Sequence, residues 1–291
     1  MKNVLVTGGN GLIGYELLHQ LSKSENYIIY NATRTKQSNQ CSNNIIFINL
    51  DLNDPNFTDL LPKKIDLIFH FAQSEFFRSF PERAVELYKV NTLSTLYLLD
   101  YAKTAGCDKF FYASTGGIYG HGIESFSEDN NIIYKSDIGF YQSTKFNSEI
   151  LVENYSQYFN TIIFRFFFVY GKRQKSDMLI PRIIEKIKQG ASISLTGDIG
   201  IKINPIYVDD AVSAILNCLN LTGNYKINIA GNEILSIKEI TTIIGNHLNK
   251  NTNFEIIHSD INKDLIANID KMKNLLNYTP KSFTEQIKNM L

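Results

Sequence analysis

The sequence predicts an α/β fold, a doubly wound parallel sheet with a smaller, interwoven C-terminal α/β substrate lobe. Three observations predict it. Short β-prone apolar runs alternate with helical stretches over the first two thirds of the chain. A glycine-patterned turn, Val4-Leu5-Val6-Thr7-Gly8-Gly9-Asn10-Gly11-Leu12-Ile13-Gly14, joins the first run to the first helix. With 291 residues, 44% hydrophobic and 20% charged, the chain reads as a soluble globular protein large enough for one big domain with a smaller partner.

The glycine turn comes first in the chain and carries chemistry. Gly8, Gly11 and Gly14 form a Gly-x-x-Gly-x-x-Gly pattern between a strand and a helix running from Leu12 to about Leu21. Strand, glycine turn and helix N-terminus in that order make an anion site, because free backbone N–H groups and the helix dipole face a phosphate. Gly8 allows the tight turn, Gly11 the approach of a pyrophosphate, and Gly14 the packing of helix on strand.

Tyr27 to Tyr30 is the second strand, and its end meets an adenosine ribose about 20 residues after the glycines. An Asp or Glu there would favour NAD, but no acid occurs between Asn26 and Leu50. Asn31, Arg34 and Lys36 stand there instead. Arg34 and Lys36 attract a 2′-phosphate, so NADP is favoured over NAD. Asn31 can equally bond a ribose, and Arg34 can stack on adenine or face water.

Ile45 to Leu50 is the third strand, followed by Asp51-Leu52, where the carboxylate either meets the adenine amino group or punctuates the turn before Pro55. Ile65 to Phe71 is a fourth strand running into Ala72-Gln73-Ser74, and on it His70 reads as a satisfied core residue. Pro81 to Lys103 is one long helix, apolar on more than one face, with the polar Asn91 in its middle placed to brace nearby strands.

Lys109 to Ala113 is the fifth strand, feeding Ser114-Thr115-Gly116-Gly117 at the end where open α/β sheets bind ligands. Tyr141 to about Tyr158 is the next helix. Tyr141 and Lys145 share one face, so the ammonium is expected to lower the phenol pKa from about 10 and make a usable base. Tyr141 alone of sixteen tyrosines has Lys four places on, a spacing that chance also supplies. Its position one helix after Ser114-Thr115 gives it weight.

Thr161 to Phe168 is the sixth strand. Beyond it, Pro181 to Gln189 is a helix, Ile193 to Gly200 a hairpin-like piece, and Tyr225 to Ile229 a seventh strand. Ile206 to Val208 and a helix over 209–219 return to the first domain. Ser236 and Glu239 form a capping box at the head of a helix ending near Leu248. A short strand and two helices close the chain. The division expected is 1–171 with about 204–230 for the dinucleotide domain, and about 172–203 with 231–291 for the substrate lobe.

Composition excludes other classes. Lys plus Arg equals Asp plus Glu at 29 each, so no basic field suits nucleic acid. No apolar run approaches the roughly 18 residues of a membrane span, and the opening strand leaves no room for a signal peptide. Cys41, Cys107 and Cys218 are odd in number and widely spaced; they suit a reducing cytoplasm and imply neither metal nor catalysis.

With the glycine loop, Ser114-Thr115 and the Tyr141/Lys145 pair, the chain resembles the extended short-chain dehydrogenase/reductase family. The likeness is to its sugar-nucleotide epimerase, dehydratase and ketoreductase group, and it also rests on Phe69 to Ala72, Asn91, Arg165 to Gly171 and Tyr207 to Asp210. The resemblance implies a Rossmann fold. It implies a cofactor held by Gly8, Gly11, Leu12, Ile13, Gly14, Asn31, Arg34, Asp51, Leu52, Phe71, Ala72, Gln73, Asn91, Tyr141, Lys145 and Phe168. It implies that Tyr141 is the acid/base, that Lys145 bonds the nicotinamide ribose and tunes Tyr141, and that Thr115 positions the reacting oxygen. Substrate contacts are expected from Ser74, Thr115 and Gly116. They are also expected from Lys172, Arg173, Lys202 and Asn204, around a nucleotide diphosphate under the second lobe.

Departures from the family narrow the activity. Dehydratases of this group carry Asp-Glu directly after the catalytic Thr, where Gly116 and Gly117 stand. No Cys/His pair of the kind that inverts C3 and C5 is present. Phe168 and Lys172 stand where the family often has Asn and Pro. The missing acid after the second strand leans the reading to an NADPH-consuming NDP-4-keto-sugar reductase; the alternative is an NDP-sugar 4-epimerase retaining NAD. A non-catalytic NADP-sensing regulator is disfavoured, since such relatives lack the Tyr/Lys pair. The helices holding Asn91 and Tyr141 form a four-helix dimer interface in relatives, so a homodimer is expected.

Overall fold

The computed structural model describes residues 1–36, 42–130, 132, 138–257 and 264–291. Cys41 lies outside them. Backbone contacts divide the chain into two units: Met1–Ile118 with Tyr134–Arg165 and Cys218–Ile227, and Tyr119–Ile133 with Phe166–Asn217 and Asn228–Leu291.

The first unit is built on β1 (Lys2–Thr7), β2 (Tyr27–Thr33), β3 (Ile45–Asn49), β4 (Leu67–His70), β5 (Lys109–Thr115) and β6 (Asn160–Phe166). The seven-stranded sheet has the order β3-β2-β1-β4-β5-β6-β11, where β11 is Tyr225–Ile229. β1 pairs in parallel with both β2 and β4, and β2 with β3 and β4 with β5 are parallel too. The chain moves outward one way from β1 and then returns to move the other way from β4. That reversal leaves a crevice at the strand ends between β1 and β4, the place where such sheets take ligands.

The strands are apolar on both faces because helices cover both. One face packs Leu5, Ile68, Phe110 and Ile163 against Leu98, Leu99, Ala102 and Val152 from the helices behind. On the sheet itself Phe69, Phe111 and Phe164 stack in a row, with centroids 4.3 and 6.1 Å apart. Each such contact adds roughly 0.5–1.5 kcal/mol beyond area burial.

The single helix expected over Pro81 to Lys103 is three pieces: α2 (Ala84–Tyr88), a π-helical turn over Lys89–Leu93, and α3 (Ser94–Thr104). Asn91 sits in the π turn. Its carbonyl accepts from Thr95 Oγ1 at 2.8 Å and from Ser148 Oγ at 2.9 Å. Buried hydroxyls thus compete for the carbonyl at the place where the helix widens.

In the second unit α5 (Leu179–Lys188) buries Ile180, Ile183, Ile184 and Ile187, a 3-4 spacing that defines one helix face. β8 (Ile193–Thr196) is not part of a hairpin. It pairs in parallel with β13 (Phe254–Ile257), and Gly197 and Gly200 beyond it are both at positive φ. β10 (Ile206–Tyr207) pairs with β7 (Val169–Tyr170), and Phe126 N donates to Ile266 O. Those pairings draw residues 119–130 and 204–217, expected with the sheet domain, into the second unit. The capping box at Ser236 and Glu239 forms with both halves present at the head of α7 (Ile237–Leu248). Among the described residues no helix is long and apolar enough to cross a membrane.

A buried ion pair ties α4 (Phe140–Asn154) to β6. Arg165 Nη2 donates to Glu149 Oε2 at 2.8 Å, with both side chains almost wholly inaccessible. Glu149→Gln removes the carboxylate charge that the buried guanidinium pairs with, and urea unfolding is expected to show a loss of about 3–5 kcal/mol; a change near zero would refute that role.

Candidate active site

The glycine loop follows from how little room the strand ends leave. Gly8 has φ +76°, and a Cβ there would lie 2.5 Å from Ala72 N. A Cβ on Gly14 would lie 2.3 Å from Gly8 O, and one on Gly9 would lie 2.2 Å from Asn31 Oδ1. Gly11 is different: its nearest obstacle is Gly8 O at 3.2 Å, so it faces the opening. Gly11 is also the N-cap of α1 (Leu12–Leu21), with no side-chain cap and no acid in the first turn. The first N–H groups of a ten-residue helix, with Leu12 and Ile13 in its first turn, are left for an anion. This backbone cradle fits a pyrophosphate.

The glycine spacing assigns no role to Gly9 or Asn10, and the structure gives each one. Asn10 Nδ2 donates to Thr35 O at 2.7 Å and Thr33 Oγ1 at 3.0 Å, fixing the chain beyond β2 to the loop. Asn31 is buried beside Gly9. Arg34 Nη2 donates to Glu75 Oε1 at 2.8 Å, and the guanidinium pKa is raised chiefly by that bond. Asp51 accepts from Asn53 N at 3.0 Å, the turn-punctuating arrangement, and Leu52 packs at the edge of the core.

Behind the crevice lies a buried polar network. Thr7 Oγ1 is 2.7 Å from His70 Nδ1, and His70 Nε2 is 3.0 Å from Thr95 Oγ1. Burial, with the Lys145 charge adding to it, pushes the His70 pKa down to about 3, so the ring is a neutral brace between β1, β4 and α3. Asn91 Oδ1 accepts from Ser74 N at 2.8 Å, and its Nδ2 donates to Thr144 Oγ1 at 3.0 Å. One amide thus fixes the loop after β4 and the first turns of α4. In that loop Phe71 rings contact Phe69 and Phe164, while Ala72 N is 3.4 Å from Thr7 Oγ1.

Thr115 ends β5, and its Oγ1 accepts from Gly117 N at 3.1 Å. Gly116 and Gly117 enter a 3-10 turn with no side chain to offer. One turn into α4, Lys145 Nζ donates to Ala113 O at 2.7 Å, which brings it to the end of the strand that carries Thr115. Tyr141 OH donates to Gln73 Oε1 at 2.9 Å. The expected lowering of the Tyr141 phenol is not seen: burial raises its pKa. Burial also lowers Lys145 to about 7, opposed by Glu149. The ammonium is directed at a backbone carbonyl, and the phenol keeps its proton on Gln73.

In the second unit Phe168 has φ +44°, a left-handed conformation that Asn adopts far more readily than a bulky aromatic residue. Lys172, Arg173 and Lys202 are exposed there. Asn204 is not free for a ligand as expected: Nδ2 donates to Ala267 O at 2.9 Å and Oδ1 accepts from Ala267 N at 3.0 Å. Cys107 and Cys218 are buried, with thiols pushed up to about 12 by burial.

The model of the NAD dependent epimerase/dehydratase family matches residues 4–230. A human dTDP-D-glucose 4,6-dehydratase is 32% identical over 255 residues, 82% of this chain and 72% of that protein. The UDP-glucuronic acid 4-epimerase of Bacillus cereus, solved with UDP-glucuronic acid and NAD, superposes with TM-score 0.88 at 27% identity. That match covers 99% of this chain and 97% of that one. A dTDP-glucose 4,6-dehydratase of Bacillus anthracis, solved with NAD, gives 0.84 at 26% identity, covering 99% and 94%. The NADP preference read from Arg34 and Lys36 is overturned by these NAD-bound relatives. The physical reason is on the same surface: Arg34 is already held by Glu75.

The Lys145 shift makes stability depend on pH. Its folded pKa lies below the unfolded 10.5, so from about 7 upward the unfolded chain binds the extra proton and stability rises with pH. Lys145→Met has no proton to lose. Its stability relative to the wild type is therefore expected to fall as pH rises across that window; parallel unfolding curves would refute the assignment.

Proposed function

As a member of the NAD dependent epimerase/dehydratase family the chain is a catalytic sugar-nucleotide-modifying enzyme, and we propose that it is an NAD-dependent NDP-sugar 4-epimerase. This replaces the 4-keto-sugar reductase favoured on sequence. The observation that carries it is the pair Gly116-Gly117 after Thr115: dehydration needs acid and base side chains there, and these residues supply none. NAD in the epimerase relative supports the same reading, since a reductase that consumes NADPH and releases one product has no need to keep an oxidised cofactor.

Gly8, Gly11 and the N-terminus of α1 would hold the pyrophosphate of NAD, and Asn31, buried beside Gly9, is the candidate for its ribose. Bound NAD supplies a reversible hydride acceptor for the sugar C4. Tyr141 takes the proton of the 4-hydroxyl as C4 is oxidised and returns one as the other face is reduced. A phenolate is needed for the first step, and burial opposes it. Lys145 would provide the opposing charge by turning from Ala113 O towards the phenol, and Thr115 Oγ1 would orient the sugar oxygen. Lys172 and Arg173 are the candidates for the substrate diphosphate.

Purified protein, given a panel of UDP- and dTDP-hexoses and hexuronates, is expected to interconvert one C4 pair with no net NADH or NADPH change and to release NAD on denaturation. Tyr141→Phe should lower kcat by about 10²–10⁴-fold. Stoichiometric NADPH consumption with a 4-keto-sugar, and no interconversion, would overturn the proposal.

We also propose a homodimer. Val85 and Tyr88 on α2 and Ile150 on α4 are 70%, 44% and 39% exposed, an apolar surface on the two helices expected to pair. Sedimentation velocity at micromolar concentration should give twice the chain mass; a monomer would refute it.

A further inference from the structure

We propose that Glu75 sets the cofactor preference of this chain for NAD over NADP, acting through Arg34 from the loop after β4. The inference rests on the NAD-dependent reading and deepens it. Arg34 follows β2 directly, the place from which an arginine accommodates a 2′-phosphate. It is not available to one. Its guanidinium donates to Glu75 Oε1 at 2.8 Å, and Glu75, Asp51 and Glu86 all act on it as negative charges.

The surroundings repeat that sign. A groove of about 680 Å³ opens beside Arg34, lined by Asp51, Glu75, Glu82 and Glu86 against Arg34, Arg83 and Lys89. Arg83 is ion-paired with Glu86, as Arg34 is with Glu75, so the two guanidiniums are neutralised in place. A 2′-phosphate, with nearly two negative charges, would have to displace Glu75 and then lie beside it. A 2′-hydroxyl meets no such repulsion.

Glu75 is held where it can do this. Ser74 N, just before it, donates to the buried Asn91 Oδ1 at 2.8 Å, and Phe76 N, just after it, donates to Ser74 Oγ at 3.1 Å. The loop therefore presents its carboxylate from a fixed backbone. It supplies, 41 residues further along the chain, the acid that the end of β2 lacks.

The test is calorimetric binding of NAD⁺ and NADP⁺ to nucleotide-free wild type, Glu75→Gln and the Glu75→Gln/Arg34→Ala double variant; both residues are exposed at the surface. Wild type should bind NAD⁺ more tightly. Glu75→Gln should tighten NADP⁺ by about tenfold, leave NAD⁺ within about twofold, and lose that gain at high salt and in the double variant. Wild type that binds NAD⁺, with an unchanged NADP⁺/NAD⁺ ratio in Glu75→Gln, overturns this assignment alone. A gain that persists in the double variant overturns it too. Wild type that binds neither nucleotide overturns the NAD-dependent reading as well.

Discussion

The constraint on which the sheet unit depends is the lack of room for a side chain at Gly8, Gly9 and Gly14. A Cβ at any of the three would fall within 2.5 Å of an atom of Ala72, Asn31 or Gly8 itself. The loop after β1 is therefore in contact at once with the loop after β4, the end of β2 and the start of α1. Backbone meets backbone at Gly8 and Gly14, and the Asn31 side chain fills the space against Gly9. The anion cradle is what remains when the glycines have met these demands: an uncapped helix N-terminus and one open glycine, Gly11.

Close backbones need a rigid support, and buried polar side chains provide it. His70 links Thr7 to Thr95, and Asn91 links Ser74 to Thr144 while its carbonyl takes the hydroxyls of Thr95 and Ser148. Lys145 reaches Ala113 O, and Glu149, one turn on, pairs with Arg165. A network of this kind is stabilising only when every member is satisfied, because an unpaired polar group in a low-dielectric interior is costly. The catalytic candidates on α4 are thus positioned by the same bonds that hold the helix to the sheet. In that arrangement the Tyr141 hydroxyl donates to Gln73 and the Lys145 ammonium to the Ala113 carbonyl.

What could be read from the sequence was what is local. Glycine spacing, the strands of the sheet and the Ser236 capping box depend on residues a few positions apart, and each is present in the structure. The long-range pairings were not legible. Nothing near Arg34 announces Glu75, 41 residues away, and nothing near Asn204 announces Ala267, 63 residues away. The π turn at Asn91 has the composition of an ordinary helix; the hydroxyls of Thr95 and Ser148 that compete for its carbonyl are what mark it. The strand Ile193–Thr196 looked like half of a hairpin because its partner, Phe254–Ile257, is supplied by a distant segment.

A missing residue constrains the cofactor less than a present one. An acid at the end of β2 is one way to place a carboxylate near the ribose, but electrostatics requires only the charge and not its position in the chain. A loop anchored by Asn91 can deliver it equally well. Once Arg34 is engaged by Glu75, the basic residue that argued for a 2′-phosphate becomes part of an acidic surface, and the absence after β2 loses its meaning. An epimerase gains from such an arrangement, since it must oxidise and re-reduce the same carbon and therefore needs a cofactor it keeps.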